Sequence, residues 1–154
     1  MQRTAAIAIV TFLSLKVFAA ADAQGPMAPV QQLFDAMASH NSEAARALFL
    51  PEAHLFSIRA DAMAAATPYS QFVERIGASK DKWLERIWNP QILEQGSVAV
   101  VWAEYDFHRN CEFSHCGIDS FSLLKTASGW KIASISDTRQ TKGCPPSPLG
   151  PPAK

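Results

Sequence analysis

Hydrophobic positions recur with helical spacing in the first part of the chain beyond residue 28, and with a period of two in the second. Val30, Leu33, Phe34 and Met37 stand at i, i+3, i+4 and i+7, one face of a helix for which Pro29 is a suitable first position. Asn41 or Ser42 can cap a second, short helix, with Glu43 in its first turn, Leu48-Phe49 as its buried end and Pro51 as its stop. Residues 53–58 alternate weakly and read as a short strand, and the alanine-rich stretch 60–66 reads as a loop. Thr67-Pro68 has the form of a cap followed by a first-turn proline. Tyr69, Phe72, Val73 and Ile76 then repeat the helical stripe, which Gly77 ends.

From Trp83 the period changes. Residues 83–88 (WLERIW) alternate with large residues on both sides, and Asn89-Pro90 interrupts them as a bulge or edge would before Ile92-Leu93 resume. Gln95-Gly96 turns into 98–108 (VAVVWAEYDFH), the most β-prone stretch of the chain. A hairpin through residues 110–112 leads to a strand over 113–125, and Ser128-Gly129 turns again into 130–139 (WKIASISDTR). The order is helix, helix, strand, helix and then four strands in a meander. It predicts an α+β domain with three N-terminal helices packed on one face of an antiparallel sheet.

Composition narrows the function classes. The chain has 154 residues, 48% hydrophobic and 18% charged, which suits one domain with a real core and excludes intrinsic disorder. Its 14 basic and 14 acidic side chains cancel, so it lacks the basic footprint that nucleic acid requires. The ends are set apart. Residues 1–23 hold Arg3, an uncharged apolar run over 4–15, and the small-x-small signal Ala21-Asp22-Ala23. A spanning helix needs roughly 20 apolar residues, and this run is shorter and followed by Lys16, so a cleaved signal peptide and an exported chain starting at Gln24 are expected. No cysteine lies near the cleavage site, which speaks against a lipoprotein anchor, and no membrane association is expected after cleavage. At the other end, five of the ten prolines fall within 145–152 (PPSPLGPP), so 145–154 is expected to be a disordered tail and 29–144 the folded domain.

Several stretches in this order resemble one superfamily. They are ALFLPEA at 47–53, FVERI at 72–76, VWAEYDF at 101–107, SHCGIDSF at 114–121, GWKI at 129–132, Asp137-Thr138-Arg139 and Cys144. Together they resemble the nuclear transport factor two-like proteins, in particular the small bacterial lumazine-binding-like and SnoaL-like branches. The resemblance implies a cone in which a curved antiparallel sheet wraps around the helices and leaves a cavity lined by both. Members of the superfamily include isomerases, dehydratases and cyclases as well as proteins without chemistry, so the fold alone does not choose a function.

The candidate site lies on the later strands. His115, Gly117, Asp119, Phe121 and Leu123 project to one face. On the last strand Ala133, Ile135, Asp137 and Arg139 form one set, and Trp130, Ile132, Ser134 and Ser136 the other. A hairpin that sets Phe121 beside Ile135 places Asp119 opposite Asp137, whereas a slip of one residue sets it opposite Ser136; the sequence allows both. Asp119, Asp137 and His115 are the catalytic candidates, because a carboxylate enclosed in an apolar cone has the raised pKa that a general base needs at neutral pH. His115 and Asp119 lie about 13 Å apart along an extended strand, so either needs a partner from another element, such as His54 or Arg59. The alternative puts them at the cone mouth, bound to Arg139. As ligand contacts the reading gives Arg59, Tyr69, Trp102, His115, Asp119, Phe121 and Arg139. The aromatic side chains Trp83, Trp88, Trp130, Tyr105, Phe72 and Phe107 are expected in the core or lining a pocket for a flat apolar molecule. Glu104, Asp106 and His108 are expected to be solvated where their strand leaves the core.

Cys111, Cys116 and Cys144 are an odd number for an exported chain, so one pair and one remainder are expected. His108, Cys111, His115 and Cys116 match no common zinc spacing, and neither metal nor cofactor is expected. Closing Cys116 to Cys144 is worth roughly 3.5 kcal/mol by loop entropy, against roughly 2 for Cys111 to Cys116. The family resemblance carries Cys116 and Cys144 together, so that pairing is expected, with Cys111 outside it. Three function classes follow: a protein that binds a small apolar or aromatic molecule without catalysis, an isomerase or dehydratase using carboxylate-assisted proton transfer, and a module that forms homodimers through the outer sheet face.

Overall fold

The computed structural model describes residues 25–59 and 65–152, so the expected signal peptide lies outside the described residues. Helix α1 spans Met27–Ala38, entered through Pro26, two residues before the expected start. Its stripe of Val30, Leu33, Phe34 and Met37 is buried as the spacing required. Helix α2 spans Ser42–Arg46, and the Asn41 side chain caps it by accepting the Ala44 N–H at 2.9 Å. That helix is shorter than expected. Phe49 and Pro51 belong instead to strand β1, Phe49–Arg59, which pairs with the C-terminal strand β6, Gly129–Arg139. Strand β2, Ala65–Pro68, takes up residues expected to be loop and helix cap, so helix α3 begins only at Tyr69 and runs over Tyr69–Ala78.

The meander forms as its turn signals predict, as β3 (Trp83–Gln95), β4 (Val98–Arg109), β5 (Glu112–Thr126) and β6. Gly96 and Gly129 adopt positive φ at two of the turns, a conformation open to glycine without a Cβ penalty. The Asn89-Pro90 interruption is a bulge between Trp88 and Gln91, with Asn89 at φ 48°. Proline has no N–H to give the ladder, and a bulge is one of the places a sheet accepts it.

The six strands run in the order β2-β1-β6-β5-β4-β3 in one curved, unclosed sheet. All neighbours are antiparallel except β1 and β6, which are parallel, so the α+β assignment stands with a mixed sheet in place of a purely antiparallel one. A second bulge decides the register of the candidate site. Leu123 pairs with Ile132 and Ser122 with Ser134, so Ala133 is the extra residue. Because of it, Trp130 and Ile132 face the same core as Ile135 and Asp137, and the two sets that strict alternation separates are joined. Without it the turn would have set Asp119 against Ser136; with it Asp119 pairs with Asp137. The helices cover the inner face, where Phe34 meets Phe121 edge to face at 6.1 Å, over a core that includes Val101, Leu123, Ile132 and Ile135.

Candidate functional site

The helices do not fill the whole inner face. Toward the ends of β1, β4 and β6 they leave a cavity of about 490 Å³, lined by Leu55, Ser57, Trp83, Glu85, Phe107 and His115 among others. Period two delivers these residues: Glu85 pairs with Phe107, Phe107 with His115, and Ser57 with Asp137. Four arginines also line the cavity. Arg59, Arg75 and Arg109 are exposed at its rim, and Arg139 is half-buried.

Three carboxyl groups sit together on this face. Asp119 is 2% exposed, beside the small side chain of Ala103, its cross-strand neighbour. Its carboxyl is hydrogen-bonded to that of Glu85, and its Oδ2 is buried with no partner among the described residues. Two carboxyls can bond only if one holds a proton. Burial, the neighbouring charge of Glu85 and their hydrogen bond push Asp119 well above the usual carboxylate range, so it is the protonated donor. Glu85, the acceptor, is pushed up from 4.5 to about 7, mainly by burial. Asp137 is already committed: it accepts from Ser57 Oγ at 2.5 Å and from Arg139 Nε at 2.7 Å. The Arg139 that was expected to bind His115 or Asp119 is therefore held by its own strand neighbour. Burial alone would lower its pKa, but the Asp137 charge and bond raise it.

His115 packs against the Phe107 ring at 5.0 Å and edge to face with Tyr105, and its Nδ1 lies 3.0 Å from Ser114 Oγ. Burial and then the positive charge of Arg139 lower its pKa to about 4, so it is a neutral imidazole at neutral pH. Tyr105 is enclosed nearby and donates to the Thr138 carbonyl at 2.9 Å; burial above all pushes its pKa up.

The expected ligand contacts divide. Arg59, His115 and Arg139 line the cavity, whereas Asp119 does not and meets it only through Glu85. Tyr69 is instead stacked on Phe49 at 5.3 Å, Phe121 is sealed in the core beneath Phe34, and Trp102 points out of the other face of the sheet with 41% exposure. His54, considered as a partner, has its Nδ1 2.8 Å from the Glu52 carbonyl. Sequence reasoning missed Glu85, Arg75 and Arg109. The signal for Glu85 was an acid between Trp83 and Ile87 on one strand face, where a third apolar residue would be ordinary.

The outer face holds a second polar group. Asp106 and His108, expected to be solvated, are buried there. Arg86, opposite Asp106 in the ladder, grips its carboxylate with Nε at 2.8 Å and Nη2 at 2.6 Å, and His108 Nε2 lies at 3.3 Å. Burial would raise the Asp106 carboxyl, but the bonds from Arg86 and His108 outweigh it and hold it below its ordinary value. The cover is the proline-rich segment. It forms no helix or strand, as its composition requires, yet it is held at two points: Cys144 is joined to Cys116, and Gly150 O accepts from Arg86 Nη1 at 2.9 Å. The disulfide is the expected one, and Cys111 lies exposed outside it. Among the described residues no group of three His, Cys, Asp or Glu side chains could hold a metal ion.

The family described as "Putative lumazine-binding" matches residues 21–136. A search of curated proteins gives no match. Among solved structures, an NTF2-like protein of unknown function from Shewanella baltica is similar with a TM-score of 0.58 at 18% identity, covering 75% of this chain and 91% of its own. A protein of unknown function with a cystatin-like fold from Nostoc punctiforme gives 0.61 at 11%, over 80% and 91%. A "putative dehydratase" of the NTF2-like family from Streptomyces avermitilis gives 0.60 at 11%, over 73% and 91%. At these identities the likenesses establish the fold alone.

Proposed function

Since the chain belongs to the family described as "Putative lumazine-binding", within the nuclear transport factor two-like superfamily, we propose that it is an exported protein whose conical cavity holds a small organic molecule. The observation that carries this reading is the cavity itself. Its volume of about 490 Å³ falls in the range of ligand sites, and a flat apolar body can pack on Phe72, Trp83 and Phe107 while polar groups fix its orientation. Export rests on the leader-like residues 1–23, and the proposal includes a mature chain beginning at Gln24. It also includes a homodimer through the outer sheet face, where Leu93, Val98 and Trp102 stay exposed; sedimentation of the mature chain checks it.

Native mass spectrometry of the protein recovered from an exporting host tests the binding reading. Retention of a small molecule by the wild type, and its loss in Leu55→Trp, which fills the cavity, supports it. Equal retention by both places the ligand elsewhere.

A second reading is favoured by one specific observation, the Glu85–Asp119 pair. Two carboxyls whose environments push their proton affinities apart are the usual means of assigning base and acid within one site. Glu85, near 7, is the group that can take a proton from a ligand at neutral pH, while protonated Asp119 holds it in place by donating a hydrogen bond. Asp137, tied to Ser57 and Arg139, is not free to do this. In this reading the protein is an isomerase, dehydratase or cyclase. Turnover of the co-purified molecule that disappears in Glu85→Gln, with binding retained, selects it over binding alone.

A further inference from the structure

The protein carries equal numbers of acidic and basic side chains, yet four guanidinium groups converge on one cavity, from β1, α3, β4 and β6. Arg59 and Arg139 are register partners on adjacent parallel strands, with both side chains lining that cavity. Like charges side by side on a sheet destabilise it. Asp137 offsets Arg139, but among the described residues no ion pair joins Arg59, Arg75 or Arg109 to a carboxylate. Arg75 and Arg109 lie over the Phe72 and Phe107 rings at 6.0 and 5.8 Å. Stacking uses the face of a guanidinium and leaves the N–H donors at its edge for an acceptor. Glu85 is the carboxylate that lines the cavity, and it stands on β3, with three strands between it and Arg59 on β1.

Resting on the reading that the cone holds a small molecule, we propose that this molecule bears an oxyanion, a carboxylate or a phosphate, and that Arg59 and Arg139 hold it while Arg75 and Arg109 close over it. The planar fork of a guanidinium matches either oxyanion in a bidentate fashion, and two forks on neighbouring strands match one group from two sides. The apolar part of the molecule then lies toward Trp83 and Phe107 on the other side of the cavity. The positive field explains a further feature: His115 is kept neutral in part by Arg139, Arg109 and Arg59, so it offers a hydrogen bond and adds no fifth cation. A neutral ligand would leave Arg59 without a counter-charge beside Arg139, and a cation would be repelled. An amphipathic organic acid satisfies both halves of the cavity.

The test is calorimetric titration of the full mature protein with 2-naphthoate, 2-naphthyl phosphate and the neutral 2-naphthamide. These probes share one flat apolar body. At least one acid should bind ten or more times tighter than the amide, and whichever acid binds tighter identifies the oxyanion. In the double variant Arg59→Gln/Arg109→Gln, whose two sites are exposed and whose folding is checked by circular dichroism, the preference should shrink to threefold or less. An amide that binds as tightly as both acids, or a preference unchanged in the double variant, overturns the oxyanion assignment while the cavity reading stands. If none of the three probes binds, the cavity reading fails together with it.

Discussion

The carboxyl groups of Glu85 and Asp119 are hydrogen-bonded to each other although the whole of β4 lies between their strands. In a flat sheet, residues level with each other on strands two apart are roughly 10 Å from one another, and Glu85, level with His115, also stands along the strands from Asp119. The contact requires curvature and a gap on the intervening strand. Ala103, the neighbour of Asp119 on β4, is the smallest side chain available there short of glycine.

That pair makes stability depend on pH in a direction opposite to the usual carboxylate. Glu85 titrates near 7 in the folded protein and near 4.5 when exposed, so between these values the folded state keeps a proton that the unfolded chain releases. Stability therefore falls as pH rises from about 4.5 to 7, and Asp119, raised further, prolongs the fall. His115 acts the other way: its pKa drops from 6.5 to about 4 on folding, so its contribution is lost as pH falls through that window. Urea melts of wild type and Glu85→Gln separate the two. The stability of the wild type relative to the variant should decline by on the order of 2 kcal/mol between pH 4.5 and 7.5, less than the full shift because Glu85 opens onto the cavity. A constant difference would refute the protonated pair.

Gly117 is expected to tolerate no side chain. A methyl there would overlap the Thr138 carbonyl oxygen, the same oxygen that accepts from the Tyr105 hydroxyl. Thr138 Oγ1 also accepts from the Ile118 N–H at 2.9 Å, so β6 cannot move away without losing two bonds. Gly117→Ala should lower stability by about 2–3 kcal/mol. Gly25→Ala, with open space around it, should leave the urea midpoint unchanged.

Arg86 and Asp106 give a sharper case, because both are largely withdrawn from solvent at 14% and 7% side-chain exposure. Arg86→Met leaves a buried carboxylate without its main partner and should cost about 3–5 kcal/mol. Arg86→Met/Asp106→Leu removes both charges and should recover most of that loss. In either variant the Gly150 anchor is gone, so limited proteolysis should cut within 145–152 sooner than in the wild type.

Loss of the Cys116–Cys144 bridge, which spans 28 residues, should lower stability by about 3.5 kcal/mol in Cys144→Ser. Cys111→Ser, outside the bridge and exposed, should have no comparable effect on the melt.

What could be read from the sequence was local. The stripe on α1, the turns at Gly96 and Gly129 and the bulge at Asn89-Pro90 each depend on residues within a few positions of one another. The site was only half legible for the same reason. Asp119, His115 and Arg139 could be placed by alternation along their own strands. Glu85 and Arg109 acquire meaning only once β3, β4 and β5 curl toward each other. The Ala133 bulge carries no Gly or Pro marker, and it alone selects Asp137 over Ser136 as the neighbour of Asp119. Asp106 and His108 read as surface because their cover comes from a segment some 40 residues further along, pinned by Cys144 and Gly150.

The place of β6 sets the order in which the molecule can be completed. Among the described residues the last strand in chain order is an interior one, and it alone joins β1 to β5. Until residues 129–139 leave the ribosome, β1 has only the short β2 beside it, and Leu55 and Ser57 lack their neighbours Ile135 and Asp137. Contacts that span most of the chain form slowly, because the loop entropy must be met before they contribute. A chain truncated before Gly129 should accordingly show no cooperative melt. Under the export proposed above, that delay would keep the chain open while it is threaded across a membrane, until β6 has reached the far side.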